Sequence, residues 1–207
     1  MMSDYDKAVA RLAASWLLWY PDDRLRERLP DIRIAVAELP AATREPLTAF
    51  LAWFDERTPS QVAREYVETF DMRRKACPYL TYWTHGDTRN RGMAILHFKQ
   101  AYLSAGFDAG DAELADHLAV LLEFAALGDR VTGDALLAEH VGAVGLLHSA
   151  LVSTGSPYAL VVESVVATLP SVTPEIAERM AAIAAQGPPA EQVGLEPFGI
   201  SVGGARR

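Results

Sequence analysis

Apolar residues recur at intervals of three and four along almost the whole of this 207-residue chain. That spacing puts them on one face of a helix and leaves little room for anything else. Tyr5, Val9, Leu12, Trp16 and Trp19 form the first stripe, with Ser3 or Asp4 as cap and Pro21 as stop. A shorter helix is expected over residues 32–39, and another over 43–56 with Leu47, Phe50, Leu51 and Phe54 inward. Thr58-Pro59-Ser60-Gln61 is a capping box with proline at the first helical position, and it opens a helix carrying Val62, Tyr66 and Phe70. Pro78 can begin a short helix that ends at Gly86, with Tyr79, Tyr82 and Trp83 sharing a face. Asp87 is the expected cap of the next, which ends at Gly106. Asp111 is the expected cap of one carrying Leu114, Leu118, Leu121 and Leu122 and closing at Gly128. Thr132 starts a helix expected to run through Val141, Val144, Leu147 and Leu151. YALVVESVV is rich in β-branched residues, but its Ser156-Pro157 start and helical neighbours assign it to helix. Thr173-Pro174 opens the last helix.

No period-two run or Asn-Gly hairpin appears, so no sheet is expected. The reading is all-α, with residues 1–186 as a single compact helical domain. From Gly187 onward glycine and proline dominate, and residues 187–207 read as a flexible tail. Half the residues are hydrophobic, enough for a core. A net charge of −8 opposes general nucleic-acid binding and suits neutral or basic partners. The lone cysteine, Cys77, excludes an internal disulfide and fits a reducing cytoplasm. The N-terminus has no signal-peptide pattern, and the apolar stretches are too short to span a bilayer.

Catalytic patterns are sparse. There is no phosphate-binding loop, GxSxG elbow or HExxH. Glu113 and His117 have metal-ligand spacing but lack a third ligand, and read as an ion pair on a helix face. His140 and His148 are too far apart along one helix to share a metal. Cys77 beside Arg73, Arg74 and Lys75 reads either as an activated thiol or as a small buried hydrophobe. His85 and Asp87 read either as an acid–base pair or as a turn with a capping aspartate. No cofactor is expected.

The odd stretch is FDMRRKACPYLTYWTHGDTRNRG, residues 70–92, a basic island in an acidic chain. Its arginines, Arg73, Arg74, Arg89 and Arg91, either pair with internal carboxylates and helix ends or flank an aromatic groove for a partner. A cradle for another polypeptide would take an amphipathic helix in a groove, its cations meeting rim acids. Glu113, Asp116 and Glu123 are candidate rim acids, with Leu118, Leu122 and Phe124 as candidate walls. Asp116 and Glu123 are seven residues apart, hence expected on one helix face. Charge reversal at both is expected to weaken peptide binding and leave the fold intact.

YVETFDMRRKACPYLTYWTHGDTRNRGMAILHFKQAY resembles the signature segment of the NarJ/TorD family of molybdoenzyme assembly chaperones, on its nitrate reductase branch. ELADHLAVLLEFA, residues 113–125, resembles that family's ELPDHLPxxLEF element. Similarity in character extends over residues 4–186. The family's two prolines are Ala115 and Ala119 here, which implies a straighter, more continuous helix. The resemblance implies a helical, non-catalytic protein that binds the N-terminal segment of the nitrate reductase α subunit. It would hold the apo-enzyme ready for molybdenum cofactor insertion and delay membrane docking. The candidate contact set for the partner peptide is Arg73, Arg74, Tyr79, Tyr82, Trp83, Arg89, Arg91, Glu113, Asp116, His117, Leu118, Leu122, Glu123 and Phe124. Rival readings are a binder of twin-arginine signal peptides, a helical hydrolase using His85, Asp87 or Cys77, and a helical regulatory dimer.

Overall fold

The computed structural model describes residues 2–72, 76–110, 112–187 and 189. Among these, eleven α-helices and one π-helical turn follow one another with no strand. The helices are α1 (Asp4–Leu18), α2 (Asp23–Ala37), α3 (Ala41–Asp55), α4 (Pro59–Tyr66), α5 (Leu80–His85), α6 (Arg89–Ser104), α7 (Leu118–Leu127), α8 (Arg130–Glu139), α9 (Val141–Thr154), α10 (Tyr158–Val166) and α11 (Pro174–Gln186). The π-helical turn is Val67–Asp71.

Local chemistry sets several helix starts. Ser3 Oγ accepts the Asp6 amide while the Asp6 carboxylate takes the Ser3 amide, the reciprocal bonds of a capping box. Thr58 and Gln61 do the same for α4, behind Pro59 at its first position. Thr173 caps α11. Gly155, at φ +67°, closes α9 in a left-handed turn that a side chain would strain.

α1 is the hub, packed on α7, α10, α2 and α3. Its buried face is not the expected stripe but Ala10, Ala13, Ala14, Leu17 and Leu18. Small side chains let α7 and α10 approach closely on that side, which leaves Val9, Trp16 and Trp19 only partly covered and Tyr5 in solvent. Arg11 is 2% exposed yet fully engaged. Its guanidinium reaches Asp134 of α8 at 2.5 Å and the hydroxyl and carbonyl of Thr168 at 3.1 and 3.2 Å.

Other boundaries differ from the expectation for identifiable reasons. α2 starts at Asp23, capped by Asp22, and runs through Pro30. The helix read as carrying Phe70 changes to the wider π-helical turn after Tyr66. Thr88, not Asp87, stands at the N-cap position of α6, and its hydroxyl turns back to the His85 carbonyl without capping the helix. α8 starts at Arg130 behind Asp129, and a 64° bend at His140 separates it from α9. His140 and His148 are thus not on one straight helix. α7 starts at Leu118 and Ala115 lies outside it, so the continuous helix from residue 111 does not form; Asp111 itself is outside the described residues. Among the described residues no single helix is long and apolar enough to cross a membrane.

α7 and α8 meet through Gly133, where an added Cβ would lie 2.5 Å from the Ala125 Cα. We expect Gly133→Ala to lower unfolding stability by about 1–3 kcal/mol through overpacking, measurable by urea denaturation; unchanged stability would show that the two helices can separate freely.

Candidate functional site

The signature segment and residues 113–118 meet in a seam of backbone and side-chain hydrogen bonds. Tyr79 and His117 form an isolated antiparallel bridge. The Pro78 carbonyl accepts the Leu118 amide at 2.9 Å, and the Leu80 amide donates to the Asp116 carbonyl at 3.0 Å. Asp116 is 0% exposed. Its Oδ2 accepts the Thr81 amide at 3.2 Å and the Thr81 hydroxyl at 2.5 Å, so it caps the short α5 from 35 residues away.

His117 caps α7. Its Nδ1 accepts the Ala119 amide at 3.2 Å, an interaction that requires the unprotonated nitrogen. The ring stacks on Trp19 at 5.5 Å and meets the edge of Tyr79 at 5.2 Å. Burial pushes its pKa down to about 4, outweighing the opposing pull of Glu113 and Asp116. A proline at Ala119 would delete the amide that His117 caps, so alanine there permits this bond. The Tyr79 hydroxyl donates to Glu113 Oε1 at 2.9 Å, and the Tyr102 hydroxyl to the Ala115 carbonyl at 2.8 Å. Glu113 and His117 are therefore two partners of Tyr79, not an ion pair on a helix face.

Outside the seam lies an open cleft of about 370 Å³, lined by Phe70, Cys77, Tyr79, Tyr82, Arg91 and Leu114 among others. The Arg91 guanidinium lies over the rings of Tyr79 and Tyr82, 5.5 and 5.9 Å from their centroids, and bonds Asp87 at 3.2 Å. Trp83 faces away, buried, with its indole N–H on the Cys77 carbonyl at 3.0 Å. The aromatic trio thus divides, two rings to the cleft and one to the core. Burial pushes the Cys77 thiol up to about 11, which keeps it protonated and unreactive at neutral pH. Asp87 is paired with Arg91, and His85 ends α5 with its carbonyl on the Thr88 hydroxyl. Among the described residues no group of three His, Cys, Asp or Glu side chains could hold a metal.

The residues nominated from sequence sort by access. Asp116, His117, Leu118, Leu122, Phe124 and Trp83 are buried and cannot meet a partner in this conformation. Asp116 precedes α7, so it shares no helix face with Glu123, which is half-buried with its pKa raised by that burial. Glu113, Tyr79, Tyr82 and Arg91 keep partial exposure, and Arg89 stands exposed in the first turn of α6. Arg73 and Arg74 lie outside the described residues. Sequence reading missed Thr81 and Trp19, whose roles depend on neighbours distant in the chain.

These contacts define, among the described residues, a helical scaffold in which the signature segment and residues 113–118 hold two loops together. The profile of the nitrate reductase delta subunit family matches residues 36–159, which include the whole seam. The chain is 33% identical over 172 residues to the probable nitrate reductase molybdenum cofactor assembly chaperone NarJ of Bacillus subtilis (strain 168), covering 83% of this chain and 94% of that protein. It is 38% identical over 155 residues to the nitrate reductase-like protein NarX of Mycobacterium tuberculosis (strain CDC 1551 / Oshkosh), covering 75% of this chain and 23% of that one. Against the molybdenum cofactor assembly chaperone NarJ of Escherichia coli (strain K12) the identity is 32% over 115 residues, or 54% of this chain and 49% of that one. The chain belongs to the nitrate reductase delta subunit family. It is of the NarJ type and is not an enzyme.

Proposed function

We propose that this protein is an assembly chaperone for respiratory nitrate reductase. It binds the N-terminal segment of the apo α subunit in the cytoplasm and keeps the enzyme open to molybdenum cofactor insertion before membrane docking. The observation that carries this reading is the match to a NarJ chaperone over 94% of that relative's length. The seam supports it. Of the residues a hydrolase would use here, the Cys77 thiol is pushed up to about 11 by burial, Asp87 is paired with Arg91, and the His85 carbonyl takes the Thr88 hydroxyl. The accessible edge of the signature segment, Tyr79, Tyr82 and Arg91, with Glu113 beside Tyr79, offers stacking and charge to a peptide.

The test is affinity capture of the tagged chain from cells expressing the nitrate reductase subunits. The α subunit is expected in the eluate, and its loss when the first residues of that subunit are deleted. Equal capture of the truncated subunit would refute the N-terminal assignment.

A further inference from the structure

The chain beyond the last helix is brought to the mouth of the signature cleft. No residue of α11 is fully buried, and the helix holds on by one face. Ile176 and Met180 settle over Gly142 and Gly145 of α9, where added Cβ atoms would lie 3.2 Å from Ile176 Cγ2 and 2.5 Å from Met180 Cε. α11 stops at Gly187, and two residues later the Pro189 carbonyl is packed on Gly86 so closely that a Cβ there would overlap it. Gly86 ends α5 at φ +59°, and its amide donates to the Tyr82 carbonyl at 2.8 Å. Glycine is thus needed at 86 both for the backbone angle and for the close approach. Tyr82 and the next residue, Asp87, both line the cleft.

Residues 190–207, AEQVGLEPFGISVGGARR, lie outside the described residues. Past Glu196 this sequence has no acid, two arginines, Arg206 and Arg207, and the large apolar side chains of Phe198, Ile200 and Val202. The cleft offers the complement. Tyr79, Tyr82 and Leu114 supply apolar and aromatic lining, and Asp71 and Asp87 stand against Arg91, which Asp87 already holds. We infer that residues 197–207 fold back into the signature cleft as a ligand in cis, Phe198 and Ile200 toward its rings and Arg206 and Arg207 toward Asp71 and Asp87. A client segment then has to displace them. The inference rests on the reading of this cleft as a peptide site, and adds the regulation of that site. Reach is no obstacle, since the nine residues from Pro189 to Phe198 span up to about 30 Å. Tethering makes weak contacts count, because a short flexible linker holds its end at about millimolar local concentration. A client meets a cleft that is partly filled, and its apparent affinity falls with the open fraction. The outer face of α6 is also apolar, with Met93, Leu96 and Leu103 exposed. That helix carries Arg89 and Lys99 and no acid, which opposes the arginine end.

The experiment uses the full chain with a photo-crosslinker at position 198, Phe198→benzoyl-phenylalanine. Irradiation is expected to join that position to Tyr79, Tyr82 or Leu114 of the same molecule. Crosslinks on α6 or α11, products between two molecules, or no preferred site would overturn the inference. Cys77, the lone thiol of the chain, lines the same cleft and reports its occupancy. Its alkylation rate is expected to rise about fivefold or more in two full-length variants, Phe198→Ser/Ile200→Ser and Arg206→Glu/Arg207→Glu. Rates equal to the wild type in both variants would equally overturn it. A peptide of the α subunit's N-terminal segment is expected to bind these variants about three- to tenfold more tightly than the wild type, and to lower the yield of the cleft crosslink. Peptide that binds all forms alike and leaves the crosslink unchanged overturns the cis ligand as a regulator, and the chaperone reading stands. Cleft crosslinks in a protein that binds no peptide and captures no α subunit support the cis ligand, and the chaperone reading falls.

Discussion

Asp116→Ala is expected to lose about 2–5 kcal/mol of unfolding stability, one of the largest losses open to a single side chain here. The substitution leaves the Thr81 amide and hydroxyl without their acceptor at a site that is 0% exposed. Each orphaned buried donor costs about 1–3 kcal/mol. α5 is six residues long and cannot sustain itself without that cap. Its loss also loosens the attachment of Tyr79 and Tyr82 to the cleft. Asp116→Asn keeps one oxygen for Thr81 and is expected to retain more than half of the lost stability. Urea unfolding of the two variants measures both effects. Charge reversal at Asp116, expected from sequence to spare the fold, places a cation in that same buried site and is expected to prevent folding. Native stability in Asp116→Ala would show that Thr81 finds another acceptor and that the seam does not hold α5.

The second large effect is acid sensitivity. An unfolded His117 protonates near 6.5, whereas the folded one resists protonation down to about 4. Between those values the unfolded state binds more protons, so stability falls as pH falls through the window and levels off below it. The loss from this residue is about 3 kcal/mol. Burial lowers the His140 pKa as well, and its contribution has the same sign. In His117→Asn the cap is kept by an amide oxygen and the titrating group is gone. The fall in stability between neutral pH and about pH 4.5 is expected to shrink by most of that amount. An identical acid dependence in wild type and variant would show that His117 is not buried neutral.

What was legible in the sequence was local. Ser3, Thr58 and Thr173 announce helix starts because the cap and its partner lie within three residues. The β-branched run at α10 was resolved by the serine and proline before it and by its helical neighbours. The failures are tertiary. Asp116 looks like a surface acid until Thr81 is brought to it, and spacing alone extends α7 backward through Leu114 although the chain there is a turn. The shorter helix expected over residues 32–39 is a longer one that starts at Asp23 and passes through Pro30. In α1 the large residues advertised a core face, but spacing does not say which neighbour covers it. The alanines took the tight contacts, and Tyr5, Val9, Leu12 and Trp16 were left bordering a groove. The apolar stripe was therefore visible, and its exposure was not.

The central claim is that this chain acts on another protein before that protein is complete. Its most direct test is the molybdenum content of nitrate reductase purified from cells lacking only this chain. The account predicts α subunit that is present but depleted of cofactor, restored by the wild-type chain supplied in trans. Enzyme with a full complement of molybdenum in the absence of this chain would contradict it.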